Sequence, residues 1–245
     1  MLLAAAAAPA RQTAAQPAEA SEADDLDRQA IELYREGKFD DALRRAERAV
    51  ALRRPAPGPD GALLANSLGN LAELLYVKRK YKEAEAALRE QLAIYEKVPR
   101  GREERMAGAL NRLVCLLNAR GRWDDLLDAQ KRLFKVDNGF EFDPSMTPRS
   151  KAEQARGGLI GGRVKAQPRP RYPVEARAAR VTGAVVLKVT VDEAGAVEAV
   201  TPLCGPPPLA RGAAESASQA RYEPLVVGGK PVKFTGVVIY RYTLQ

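Results

Sequence analysis

The sequence predicts an all-α solenoid of stacked helix pairs followed by a small α+β domain, a three-stranded antiparallel sheet with two helices. Three observations lead there. Apolar and aromatic residues recur at a fixed period of 42 across the first half of the chain. After Pro170 the apolar spacing switches from helical to alternating. Between the two regions lies an aperiodic stretch rich in Gly, Pro, Ser, Lys and Arg.

The period is carried by several registers at once. Leu26, Leu68 and Leu110 are one set; Leu33, Leu75 and Leu117 are another; Ala30, Ala72 and Val114 a third. Phe39, Tyr81 and Trp123 follow, then Ala42, Ala84 and Leu126. Within each unit a first helix carries apolar residues at helical spacing, as in Leu68, Leu71, Ala72 and Leu75. A turn follows, with Gly37 and Gly121 in register and Arg79 in the middle unit. A bulky aromatic then opens the second helix and is expected to plug the turn, largely buried. One helix pair cannot bury its apolar face alone, so the pairs must stack. Ahead of the repeats, residues 11–25 read as a disordered lead-in.

Asn70-Leu71-Ala72-Glu73-Leu74-Leu75-Tyr76 with Tyr81-Lys82-Glu83-Ala84-Glu85 resembles the tetratricopeptide repeat of the 42-residue variety, over about residues 24–138. Gln29 in the first unit and Leu126 in the third depart from that pattern. The resemblance implies a concave face that binds a peptide or partner helix. Asn70 and Asn111, polar residues of first helices, are candidates for it, with a merely solvated face as the alternative.

Residues 139–167 read as a linker. Its paired glycines lack a following Gly-Lys-Ser/Thr and a preceding strand, so no phosphate loop is assigned. Beyond it Tyr172-Pro173 opens a short helix to Arg180, and Val185, Leu187, Val189 and Val191 alternate as a strand. Asp192-Glu193-Ala194-Gly195 turns into a second strand, Ala196 to Val200. An alanine-rich helix spans Pro206 to Tyr222. A Gly228-Gly229 turn leads to a last strand, Val232 to Leu244, with Phe234, Val238, Tyr240, Tyr242 and Leu244 on one face.

Tyr172-Pro173 with Ala176, Gly183, Asp192 with Gly195-Ala196-Val197, Arg221-Tyr222-Glu223-Pro224 and Gly229-Lys230-Pro231-Val232 occur in this order. Residues 168–245 thereby resemble the TonB C-terminal domain. Ala220 stands where the family usually has Trp, and two extra residues separate Gln167-Pro168 from Tyr172. The resemblance implies recognition by strand addition: an extended peptide, the TonB box of an outer-membrane receptor, pairs near the segment ahead of Tyr172-Pro173. Candidate contacts are Gln167, Pro168, Tyr172 and Pro173, with Lys233, Thr235 and Arg241 along the last strand. Gln167 reads equally as a linker residue.

The net charge of +8 is localised. Residues 1–148 carry 24 basic and 24 acidic side chains, and residues 149–245 carry 15 and 7. With no aromatics interleaved to stack bases, the excess reads as a solvated basic linker and not as a nucleic-acid site. The absence of histidine removes Ser-His and Cys-His pairs and the usual zinc sites. No carboxylate pair is marked as catalytic, so the chain reads as a non-enzyme without cofactor or metal. Cys115 and Cys204 fall in different expected domains and read as separate free thiols. Met1 to Ala10 reads as a truncated secretory signal or an alanine run, and no stretch suffices for a membrane span. The expectation is a periplasmic adaptor joining two protein partners, or alternatively a scaffold that homodimerises through its sheet.

Overall fold

The computed structural model describes residues 16–55, 61–98, 101–141 and 163–244. The signal-like segment and most of the expected linker lie outside these residues. Two compact units partition the chain, Met1–Val98 and Pro99–Gln245. The division falls between the second and third helix pairs, not after residue 138.

The first unit holds α1 (Gln16–Arg35), α2 (Phe39–Arg53), α3 (Ala62–Val77) and α4 (Tyr81–Glu96). The lead-in expected to be disordered is helical from Gln16, and Ala23 is fully buried in it. Both helix pairs close with the same turn. Lys38 N–H reaches Leu33 C=O and Gly37 N–H reaches Tyr34 C=O; Lys80 and Arg79 repeat this with Leu75 and Tyr76. This double bond closes a helix on a left-handed residue. Gly37 takes it at φ 76° and Arg79 at φ 58°, so the register shared by glycine and arginine is one backbone conformation. The core is built from the repeated positions, with Leu26, Ala30, Leu68, Ala72 and Leu75 buried. The aromatics stand at the first residue of each second helix, as expected. They are half-buried and not enclosed, and each packs against one aromatic neighbour: Phe39 edge-on to Tyr34 and Tyr81 tilted against Tyr76, both at 5.6 Å.

A buried polar network ties this unit together. Arg53, 6% exposed, ion-pairs with Asp24 and Asp27 and donates to Ser67. Ser67 donates to Asp27 at 2.7 Å and Asn70 donates to it at 3.3 Å. Pairing of this kind is what makes a buried guanidinium tolerable.

The second unit begins with the third helix pair, α5 (Glu103–Ala119) and α6 (Trp123–Asn138), which closes on Gly121 with the same double bond. It continues with β1 (Val164–Ala166), α7 (Val174–Ala178), β2 (Gly183–Val191), β3 (Val197–Cys204) and α8 (Pro207–Ser218). Four strands complete it: β4 (Arg221–Tyr222), β5 (Leu225–Val227), β6 (Lys230–Val232) and β7 (Phe234–Tyr242). The central sheet is antiparallel in the order β3-β2-β7, and β2 runs unbroken against β7 from Gly183↔Tyr242 to Val191↔Phe234. The hairpin turn is set by Asp192, whose carboxylate accepts from Ala194 and Ala196 N–H. Gly195 (φ 86°) lies so close to Tyr222 C=O that a Cβ would stand 2.0 Å from it.

The sheet has helices on both faces, not only the two of its own domain on one. Val185, Leu187, Val189 and Val191 face Leu209, Ala213 and Ala217 of α8 and Ala176 of α7. Val186, Val237 and Ile239, on the opposite face, are buried as well. That face meets α5 and α6. Lys188 of that face ion-pairs with Asp137 of α6 at 2.8 Å, while Phe134 of α6 joins the core of the first face, 6.3 Å from Phe234. Cys115 of α5 and Cys204 of β3 form a disulfide, which corrects the expectation of two free thiols. The two residues belong to one compact unit because the third helix pair packs on the sheet.

Candidate functional site

Residues 163–173, spanning the end of the expected linker and the start of the expected C-terminal domain, form an arm along the second unit. Val164 and Ala166 of β1 pair with Tyr222 and Arg221, and Glu223 N–H donates to Arg163 C=O at 2.8 Å. Past β1 the arm is held by side chains, since Pro168, Pro170 and Pro173 have no N–H to donate. Gln167 Nε2 donates to Tyr240 Oη at 2.9 Å, and Ser216 Oγ donates to Pro168 C=O. Helix α8 approaches closely at Gly212, where a Cβ would lie 2.7 Å from Arg171 C=O. Tyr172 donates its hydroxyl to Val181 C=O, stands edge-on to Tyr242 at 5.3 Å, and carries Arg177 over its ring at 5.6 Å.

Between this arm and the end of β7 runs an open groove of about 1430 Å³. Gln167, Pro168 and Tyr172 line one wall, and Tyr240 to Leu244 line the other. Four of the residues marked in the sequence therefore meet here: Gln167, Pro168, Tyr172 and Arg241. Pro173 stands just outside as the N-cap of α7. Lys233 precedes β7 and is ion-paired with Glu198 of β3, which holds its pKa above the usual lysine value. Asn70 sits in the first unit, bonded to Asp27. Asn111 is half-buried on α5, with its Oδ1 unpartnered among the described residues.

Thr235 shows how the sheet edge is managed. Its N–H donates to Asn138 Oδ1 at 2.7 Å and its C=O accepts from Asn138 Nδ2 at 2.8 Å. The amide at the end of α6 thus imitates one residue of a neighbouring strand. Outward groups alternate along an edge strand, so the N–H and C=O of Val237, Ile239 and Arg241 point the same way. The opposite edge, β3, carries Pro202 and the Glu198–Lys233 pair, features that discourage strand addition. At the groove end of β7, Arg241 is fixed from behind. Its guanidinium lies 4.0 Å over the Trp123 ring and donates to Asn118 Oδ1 at 3.3 Å, and burial lowers its pKa.

Sequence reasoning missed Arg169, Arg171 and Arg177 in the groove wall, Asn138 at the edge, and the Trp123–Asn118 cradle. The alternation Arg169-Pro170-Arg171 was a usable signal, because prolines on both sides of a basic residue favour an extended arm. The Asn138 contact spans 97 residues and left no local trace.

Residues 168–244 match the family model described as the Gram-negative bacterial TonB protein C-terminal. Residues 28–97 match the tetratricopeptide repeat. No curated protein matches the chain. Helices α5 and α6 lie outside both matched ranges but keep the 42-residue period and the same closing turn. The chain is a tetratricopeptide array fused to a TonB C-terminal domain.

Proposed function

We propose that this chain is a non-enzymatic adaptor of the periplasm. Its repeats hold one protein, and its TonB domain takes an extended peptide, the TonB box of an outer-membrane receptor, by strand addition in support of transport. The observation that carries this reading is the groove itself. It borders a stretch of sheet edge that, among the described residues, has no strand, proline or capping side chain on it, and Gln167, Pro168 and Tyr172, marked by family resemblance, line it together with Arg241. Backbone groups on such an edge accept a strand with little demand on its sequence. A disulfide suits an oxidising compartment such as the periplasm.

The test replaces Arg241 and, separately, Thr243 by proline, removing an N–H at the groove wall. Circular dichroism first confirms folding, and calorimetry then measures binding of a synthetic TonB-box peptide. Loss of binding in a folded, monomeric variant supports strand addition. Unchanged binding in both variants rules it out. A wild-type dimer in ultracentrifugation that the prolines dissociate would replace the adaptor with a homodimeric scaffold.

A further inference from the structure

The groove carries an electrostatic selection that strand addition alone does not require. Arg169 and Arg171 on the arm, Arg177 on α7 and Arg241 on β7 all line it, and no lining residue is acidic. None of the four is paired with a carboxylate among the described residues. Glu215, whose charge reaches Tyr242, is ion-paired with Arg211, and Glu175 of α7 is not among the groove's lining residues. Four basic residues from three separate elements thus line one open channel with no carboxylate partner among the described residues, two of them held by aromatic rings, Arg177 on Tyr172 and Arg241 on Trp123.

We propose that the groove selects an extended peptide with carboxylates on alternate residues, read by Arg169 and Arg171. The proposal rests on the strand-addition reading and adds the chemistry of the partner. Residues i and i+2 of an extended segment project to the same side, about 7 Å apart. Alternate side chains of an extended partner share that spacing, so the proposal sets two of its carboxylates against Arg169 and Arg171, which alternate in the arm. Pro168 and Pro170 restrict the arm before binding, which lowers the entropy lost on complex formation. Arg241 is preset by Trp123 and Asn118. The two residues by which this arm exceeds the family spacing allow Arg169 and Pro170 to be accommodated between Gln167-Pro168 and Arg171.

A nucleic acid is the other polyanion to consider, and the groove offers it little. Tyr240 is 2% exposed and Tyr242 3%, and the Tyr172 ring is taken by Tyr242 and Arg177. Among the described residues that line the groove no other ring is present on which a base could stack, whereas the outward backbone of β7 suits a polypeptide.

The experiment uses the full chain and fluorescence anisotropy. The probes are a labelled peptide of alternating Val and Glu and its counterpart of alternating Val and Gln, with a single-stranded oligonucleotide as competitor. The Glu peptide is expected to bind about tenfold more tightly at low salt, with the difference shrinking as salt rises. The double variant Arg169→Gln/Arg171→Gln, both sites exposed, is expected to abolish that preference. Equal binding of the two peptides to the wild type overturns charge selection and leaves strand addition standing. Binding of neither overturns both. An oligonucleotide that displaces the Glu peptide at lower concentration than unlabelled Glu peptide overturns the proposal in favour of a nucleic-acid site.

Discussion

Arg79 holds a left-handed conformation in a position where the neighbouring repeat uses glycine. A side chain there costs about 1–2 kcal/mol, and part of any relief is returned as unfolded-chain entropy. Arg79→Gly is therefore expected to raise the stability of the first unit by about 0.5–1 kcal/mol in urea denaturation. Gly37→Ala should lower it by about 1 kcal/mol, and the cause is conformational, because a Cβ at Gly37 would meet nothing within 4 Å. Tyr242 offers a second test. Burial pushes its pKa up to about 12, and its hydroxyl has no partner among the described residues. A phenol with a raised folded pKa keeps its stabilising effect below about pH 10 and loses it as pH climbs toward 12, where the unfolded chain has already ionised. Tyr242→Phe should be near neutral at pH 7 and flatten the alkaline loss of stability in pH-dependent denaturation.

At the scale of elements, the contact of α6 with β7 does two things. Asn138 caps the edge at Thr235, and Trp123 fixes Arg241 at the groove end. The two functions follow from a change in the repeat. Tyr34 and Tyr76 pack on Phe39 and Tyr81 in the first two pairs, whereas the equivalent of those tyrosines is Asn118, which leaves Trp123 to face Arg241. Asn138→Ala leaves a backbone donor and acceptor of Thr235 without their partner. The expected cost is about 1–3 kcal/mol, read as a lower denaturation midpoint of the second unit. The half-buried Tyr81 has less to lose than an enclosed aromatic, so Tyr81→Ala should fall below the roughly 3–5 kcal/mol of a core deletion. Reduction of Cys115–Cys204 should destabilise the second unit by about 2–4 kcal/mol, as expected for a cross-link that closes a long loop. The first unit, denatured in the same reductant, should be unaffected.

For the whole molecule, the place where the chain is cut decides what folds. A fragment of residues 99–245 keeps the third helix pair, both covers of the sheet and the disulfide. It is expected to unfold in one transition. A fragment of residues 163–245 exposes Val186, Val237 and Ile239 and loses Cys115. A lower midpoint and dye binding to exposed apolar surface are expected for it in thermal scans. Equal stability of the two fragments would show that the α5–α6 cover contributes nothing.

Local patterns in the chain were enough to identify both folds. A helix pair must repeat its apolar spacing to stack, and an alternating Val185–Val191 must be a strand with one buried face. Turn chemistry at Gly37, Gly121, Asp192 and Gly195 was legible for the same reason: a left-handed or tight backbone restricts residue choice where it occurs. The arm residues Gln167, Pro168 and Tyr172 were legible through family resemblance, but not the guanidiniums beside them, since a basic run looks the same whether it lines a groove or is solvated. The second face of the sheet was hidden for a related reason. Val186, Val237 and Ile239 sit among Lys188, Thr190, Thr235 and Arg241, a mixture that reads as solvent-facing. Only the packing of α5 and α6 supplies Asp137, Asn138, Asn118 and Trp123 as partners for those polar groups. Contacts between residues so far apart in sequence leave no period to detect. They exist only once the chain has closed on itself, and the Cys115–Cys204 bond and the shape of the groove were decided there.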